Sequence, residues 1–310
     1  MPLPRHLQAD LALAGVTVIW GASFVIIKIA LQDVSPLVFV LLRFAVAGAF
    51  LLLLSGGRQR LWEPGLARAG SVVGFFLFAG FVFQTFGLQY TTPAKSAFIT
   101  ALSVVMVPVI LVAFFRRRLE LSTVAGVVAA TLGVYLLTAR GGALAVGQGD
   151  LLTLVSAVAF AGHIVAVGRY APHFGVAALT LWQVGVAGAF SALLTPLAAA
   201  TGLEVPQVNW TPRLVAALVA TGGLSLALAF TVQVWAQQFT SPTHTAIIYS
   251  LEPVFAALTS YLVLAERFGP QGFLGAGLIL AGVVLAELRA PAAPELGMPP
   301  PANPSGKKSV

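Results

Sequence analysis

No cysteine occurs among the 310 residues, and only 9% of them are charged. The first absence excludes a disulfide framework, a thiolate metal site and a cysteine nucleophile. The second excludes a soluble protein, since an ordinary globular chain carries roughly 25% charged residues. Acidic residues are the scarcer sign: 10 Asp and Glu stand against 17 Lys and Arg, for a net charge of +7. That excess sits in short connecting segments and forms no basic face, so no nucleic-acid partner is expected. H-E-x-x-H, a nucleotide-binding glycine loop and a nucleophile–base constellation are all missing, which argues against an enzyme and against ATP-driven chemistry. What remains is apolar. Hydrophobic residues make up 58% of the chain, and the mean hydropathy of +0.95 is an average over its whole length. This is the composition of a polytopic membrane protein.

A spanning helix takes about 20 mostly apolar residues. Ten such runs are predicted, over 9–31, 35–54, 70–90, 93–115, 121–138, 150–170, 176–198, 213–237, 242–263 and 271–289. They are continuous rather than alternating, so a transmembrane barrel is excluded and the fold class is all-α. The first run has no small-residue cleavage site and reads as a retained helix rather than a signal peptide. Residues 1–8 read as a cytoplasmic N-terminus, and the Pro-rich segment 290–310 as a disordered cytoplasmic tail. Placing the N-terminus inside puts eleven Lys/Arg on the inner side and five on the outer, with Arg43 left within a span. Both termini are therefore expected in the cytoplasm, with the chain in the cell's inner membrane.

The chain matches itself. At an offset of 149 residues, Pro93 falls on Pro242, and Gln84 and Gln89 fall on Gln233 and Gln238. Gly126 and Gly133 fall likewise on Gly275 and Gly282. At an offset of 140, Asp10-Leu11 meets Asp150-Leu151, and Val46-Ala-Gly-Ala-Phe50 meets Val186-Ala-Gly-Ala-Phe190. Two five-helix repeats are thus expected at 9–138 and 150–289, joined by a linker at 139–149. Five is odd, so the second repeat must enter the membrane from the opposite side. This inverted plan belongs to secondary transporters that bind their substrate near the midplane.

The order of Trp20-Gly-Ala-Ser-Phe24, Arg43-Phe44, Thr92-Pro93 to Pro108, Thr240-Ser-Pro242, Leu251-Glu-Pro-Val254 with Glu266, and Gly275 to Gly282 resembles the drug/metabolite transporter superfamily, specifically its EamA-type members. The similarity covers all but the two termini, and it extends to exporters of amino acids, aromatic ones included. Arg117 stands at the repeat position of Glu266, a departure within the inside-positive run Arg116-Arg-Arg118. The resemblance implies that the first, third and fourth spans of each half surround a central cavity.

Polar residues within spans are costly and should gather on that cavity. Thr245, Tyr249 and Glu252 share one face by helical spacing, and Ser96, Thr100 and Ser103 repeat them. Phe81 and Gln84 are repeated as Phe230 and Gln233, and Trp20 and Ser23 as Phe160 and His163. The candidate substrate-binding set is Trp20, Ser23, Phe81, Gln84, Thr100, His163, Gln233, Tyr249 and Glu252, with His163 and Glu252 as proton-coupling candidates. Two readings stand for each polar group: cavity lining, or hydrogen-bonding glue between helices at about 0.6 kcal/mol apiece. Arg43 and Glu252 either serve a substrate or pair within the fold, and Pro253 is expected to weaken its helix locally. Holding phosphates needs several deep cations, and only Arg43 is deep. The expected substrate is therefore small and neutral, zwitterionic or cationic, most readily an amino acid. Beyond the lipid bilayer and this substrate no partner or cofactor is expected, and the chain should be a monomer or weak dimer.

Overall fold

The computed structural model describes residues 3–55, 61–115, 121–138, 147–267 and 269–287. The linker through residue 146, the Arg116–Arg118 run and the 290–310 tail lie outside them. Thirteen α-helices are described: α1 (Arg5–Ala30), α2 (Pro36–Ser55), α3 (Leu66–Tyr90), α4 (Pro93–Thr100), α5 (Ser103–Phe115), α6 (Leu121–Thr138), α7 (Gln148–Tyr170), α8 (Val176–Ala200), α9 (Pro212–Val219), α10 (Ala229–Ala236), α11 (Pro242–Tyr249), α12 (Glu252–Leu264) and α13 (Pro270–Glu287). A π-helical stretch, Ala220–Leu228, fuses α9 to α10. No strand occurs among the described residues, only an isolated bridge between Val34 and Val208. Among the described residues, seven helical stretches are long and apolar enough to cross a membrane. Large apolar side chains such as Leu53, Phe114, Leu262 and Phe273 are exposed on the outside, as lipid rather than water requires.

Two predicted spans are not continuous helices. Span 93–115 divides at Ala101–Leu102, and span 242–263 at Ser250–Leu251. At both places the backbone tightens to i→i+3 bonds, Leu102 N to Ile99 O and Leu251 N to Ile248 O, each 3.1 Å. The single helix face expected for Thr245, Tyr249 and Glu252 is therefore interrupted between Tyr249 and Glu252. Proline does not explain both breaks, because Pro253 follows the second while Val104 occupies the corresponding place after the first. Pro108, by contrast, lies inside α5 without ending it. The two breaks stand 149 residues apart, as do the bounds of α4 and α11, α5 and α12, and α6 and α13.

The packing is reciprocal. α3 lies on α7 while α1 lies on α10 and the π stretch; α1 meets α12 while α7 meets α5; α2 faces α8, and α6 faces α13. In the last pair a Cβ on Gly133 would stand 2.6 Å from Gly275 O, and one on Gly282 would stand 2.6 Å from Gly126 O. Those contacts make α6 and α13 antiparallel, with equivalent glycines at the crossing. Only glycine permits two backbones this close.

The connection from α1 to α2 is clamped to the one from α8 to α9. Asp33 accepts from Arg213 Nε at 2.9 Å, from Arg213 Nη2 at 2.8 Å and from Thr211 Oγ1 at 2.9 Å. Glu204 reaches across to cap α2 by accepting from Leu37 N at 3.1 Å. Hydrogen bonding from Arg213 holds the Asp33 carboxyl below its ordinary value, against burial, which pushes it up; Thr211 and the Arg213 charge add to the lowering. A depressed folded-state pKa stabilises the fold above the unfolded value of about 3.9 and loses that contribution as pH falls through the folded value. Asp33→Asn should therefore melt earlier than the wild type in detergent at pH 7, and the gap should close toward pH 3. A gap that stays constant with pH would refute the pairing's role.

Candidate functional site

One cavity lies where α1, α2, α3, α4, α5, α7, the π stretch, α10, α11 and α12 converge. All nine candidate residues named from the sequence line it: Trp20, Ser23, Phe81, Gln84, Thr100, His163, Gln233, Tyr249 and Glu252. Arg43, Ser103, Phe160 and Ser225 line it as well. The lining consists largely of repeat-related pairs: Trp20 with Phe160, Ser23 with His163, Phe81 with Phe230, Gln84 with Gln233, Thr100 with Tyr249, and Ser103 with Glu252. Thr245 and Ser96 do not line it; Ser96 Oγ lies 3.4 Å from Thr153 Oγ1, an interhelical contact.

An aromatic wall forms one side. Trp20 packs at 5.1 Å from Phe230 and 4.8 Å from Tyr249 between ring centroids, and its Nε1 donates to Ser225 O at 2.8 Å. That carbonyl is supplied by the π stretch, whose wider turn re-aims backbone groups and recurs at functional sites. The sequence pattern gave no sign of it. Phe81 bridges to Phe160 at 5.3 Å and to Phe230 at 5.9 Å.

The polar groups divide between glue and open valence. Gln84 Nε2 donates to Thr100 Oγ1 at 3.3 Å, and Gln233 Nε2 to Gln237 Oε1 at 2.9 Å. Gln237 Nε2 in turn donates to Ile164 O at 2.9 Å. The Gln233 carbonyl oxygen and the Tyr249 hydroxyl are buried with no hydrogen-bond partner among the described residues. His163 Nε2 lies 2.8 Å from Gln183 Oε1. Gln183 is a residue the pattern reading passed over, although it is a buried amide within an apolar span at the repeat position of Arg43.

Arg43 and Glu252 do not pair. Arg43 is 1% exposed, the largest fully buried side chain among the described residues. Its guanidinium carbon sits 4.8 Å from the Phe81 ring centroid and 5.4 Å from that of Phe39. Its Nε and Nη2 have no hydrogen-bond partner among the described residues. Glu252 opens α12 and faces the same cavity, with no hydrogen bond or ion pair to a described residue.

Besides Asp33–Arg213, two further ion pairs among the described residues join the halves, one on either side of the cavity. Lys95 Nζ on α4 lies 2.6 Å from Asp150 Oδ2 on α7, and Thr91 Oγ1 donates to Asp150 Oδ1 at 3.0 Å. His244 Nε2 on α11 lies 3.2 Å from Asp10 Oδ1 on α1. These pairs are repeat equivalents, since Asp10 corresponds to Asp150 at the offset of 140 and Lys95 to His244 at 149. They occupy opposite ends of the molecule. Lys28, near the end of α1, donates to Leu88 O at 2.5 Å and Thr91 O at 3.0 Å, so α1 and α3 run parallel. Gly80 abuts Phe160 while Gly87 abuts Thr153, so α3 and α7 run antiparallel. The starts of α1 and α7 therefore point to opposite ends, and Asp10 lies about 27 Å of helical rise from Lys28.

A polytopic helical protein with a central cavity between two repeat-related halves has the form of a membrane transporter. A family model described as the EamA-like transporter family matches twice, over residues 7–139 and 147–288. The chain belongs to the EamA-like transporter family. A protein described as an uncharacterized transporter from Archaeoglobus fulgidus is 35% identical over 285 residues, covering 92% of this chain and 87% of its own. A probable amino-acid metabolite efflux pump from Escherichia coli is 27% identical over 285 residues, covering 87% and 91%. One solved crystal structure superposes with a TM-score of 0.71 at 20% identity, over 91% of this chain and 96% of that one, a likeness of fold.

Proposed function

We propose that the protein is a secondary transporter that exports amino acids or closely similar small polar metabolites across the inner membrane by alternating access. In this reading ten spans form two inverted five-helix repeats, with both termini cytoplasmic. The reciprocal packing carries the proposal: each inter-half contact recurs with its members exchanged, so the halves can trade conformations and open the cavity to either side. The antiparallel crossing of α6 and α13 supports inversion, and the equivalent ion pairs supply a closure for each end. With the N-terminus inside, Lys95–Asp150 closes the outer end and Asp10–His244 the inner. The substrate class rests on the cavity's amide and aromatic lining with one cation and one anion, and on the efflux-pump relative.

The test is uptake of radiolabelled amino acids into proteoliposomes, at symmetric pH and with an imposed proton gradient. Saturable flux should appear, and Gln84→Ala and Tyr249→Ala should each lower it by about tenfold or more. No flux of any amino acid would sink the substrate class. Dependence on the gradient would identify proton antiport, for which Glu252 and His163 are the carriers. Flux in His163→Ala with the same pH dependence as the wild type would remove His163 from that role.

A further inference from the structure

Arg43 is a buried cation inside an apolar bundle, with no partner for its Nε and Nη2 among the described residues, and an isolated charge is strongly disfavoured there. The rings of Phe39 and Phe81 hold its guanidinium in place but supply no hydrogen-bond acceptor. At the repeat position in the other half stands neutral Gln183, whose carbonyl oxygen is engaged by His163. Glu252 shows the opposite imbalance: its repeat counterpart is Ser103, and it makes no hydrogen bond or ion pair to a described residue. The cavity therefore departs from its own internal symmetry at two places, once with a basic side chain from the first half and once with an acidic side chain from the second. A cation alone would suit an anion and an anion alone would suit an amine. Both together, left unpaired, suit a molecule carrying both charges.

We propose that Arg43 is the carboxylate-binding residue of the cavity and that Glu252 receives the ammonium group of the same zwitterionic substrate. This inference rests on the transporter reading above and deepens it. The planar guanidinium, already held by two rings, presents N–H donors to a carboxylate with little ordering cost. The wall of Trp20, Phe230 and Tyr249 is left for the substrate's side chain. A zwitterion leaves the occupied cavity near neutrality, so its two charges need not be carried uncompensated through the bilayer.

The test uses the full chain in proteoliposomes, with radiolabelled amino acids and their radiolabelled decarboxylated amines as probes, and unlabelled amides and amines as competitors. Amides and amines keep the ammonium and side chain but lack the carboxylate. In the wild type they should compete at least about tenfold more weakly than the parent amino acid. In Arg43→Gln that ratio should collapse toward one, with amino acid transport lowered more than transport of the labelled amine and a monodisperse elution profile in detergent showing that the variant is folded. Arg43→Lys should restore part of the preference, and Glu252→Gln should instead weaken competition by amines. Equal competition by acids and amides in the wild type would overturn the assignment while leaving a working transporter. Parallel loss of amino acid and amine transport in Arg43→Gln would overturn it too, as would an unchanged ratio. Absence of flux for every probe would sink the transport reading along with it.

Discussion

Removing Lys95 should open the cavity to one side of the membrane, and removing Asp10 should open it to the other. Ser23 lines the cavity, and the chain has no cysteine, so Ser23→Cys supplies a single thiol to report access. In Lys95→Ala or Asp150→Ala, an impermeant maleimide should label that thiol faster from the outer face. In Asp10→Ala it should label faster from the inner face. The expected change is several-fold or more, because a contact made in only one state and contributing about 1–3 kcal/mol shifts the populations about 5–150-fold. The effect should be larger at the lysine pair, which closes to 2.6 Å and seats its aspartate at 7% exposure. The histidine pair is charged only while the imidazole is protonated. Labelling that changes from the same face in both variants would rule out opposed closures and with them the exchange of conformations between the halves.

Gly21→Val should abolish folded protein or lower its melting temperature by many degrees. A Cβ at Gly21 would stand 2.7 Å from Phe255 Cβ, 2.8 Å from Ala256 N and 2.9 Å from Glu252 O. Two of those three atoms belong to the backbone of α12 and have no rotamer by which to retreat. Overpacking of this kind costs about 3 kcal/mol or more. Since α1 carries Trp20 and Ser23 and α12 begins at Glu252, forcing the two apart also separates the cavity walls. Gly15→Ala is the control, because a Cβ there meets nothing within 4 Å. That change should leave the melting temperature unchanged or slightly raised. Both variants are read by size-exclusion thermostability in detergent. Equal stability of Gly21→Val and wild type would show that α1 and α12 do not pack as described.

Helices were legible because their signal belongs to single residues: long apolar runs under a bilayer's length constraint have one solution. The repeat was legible because Gln84 with Gln233 and Gly133 with Gly282 survive at a fixed spacing. Cavity lining followed from the same logic, since a polar side chain in a span must face something other than lipid. The breaks at Ala101 and Ser250 were not legible as a pair, because only one carries a nearby proline. The π stretch left no sign either, as its wider turn depends on what packs around Ala220–Leu228 rather than on local propensity.

The sequence by itself thus determined an all-α membrane protein with an internal repeat and the residues that gather at its centre. Tertiary structure decided which of them are satisfied there. That Gln183 engages His163 while Arg43 remains alone, and that Asp10 meets His244 as Asp150 meets Lys95, are facts about pairs far apart in the chain. Hydropathy and spacing record what each residue avoids, whereas a hydrogen bond or an unpaired charge depends on which second group the packing brings within about 3 Å.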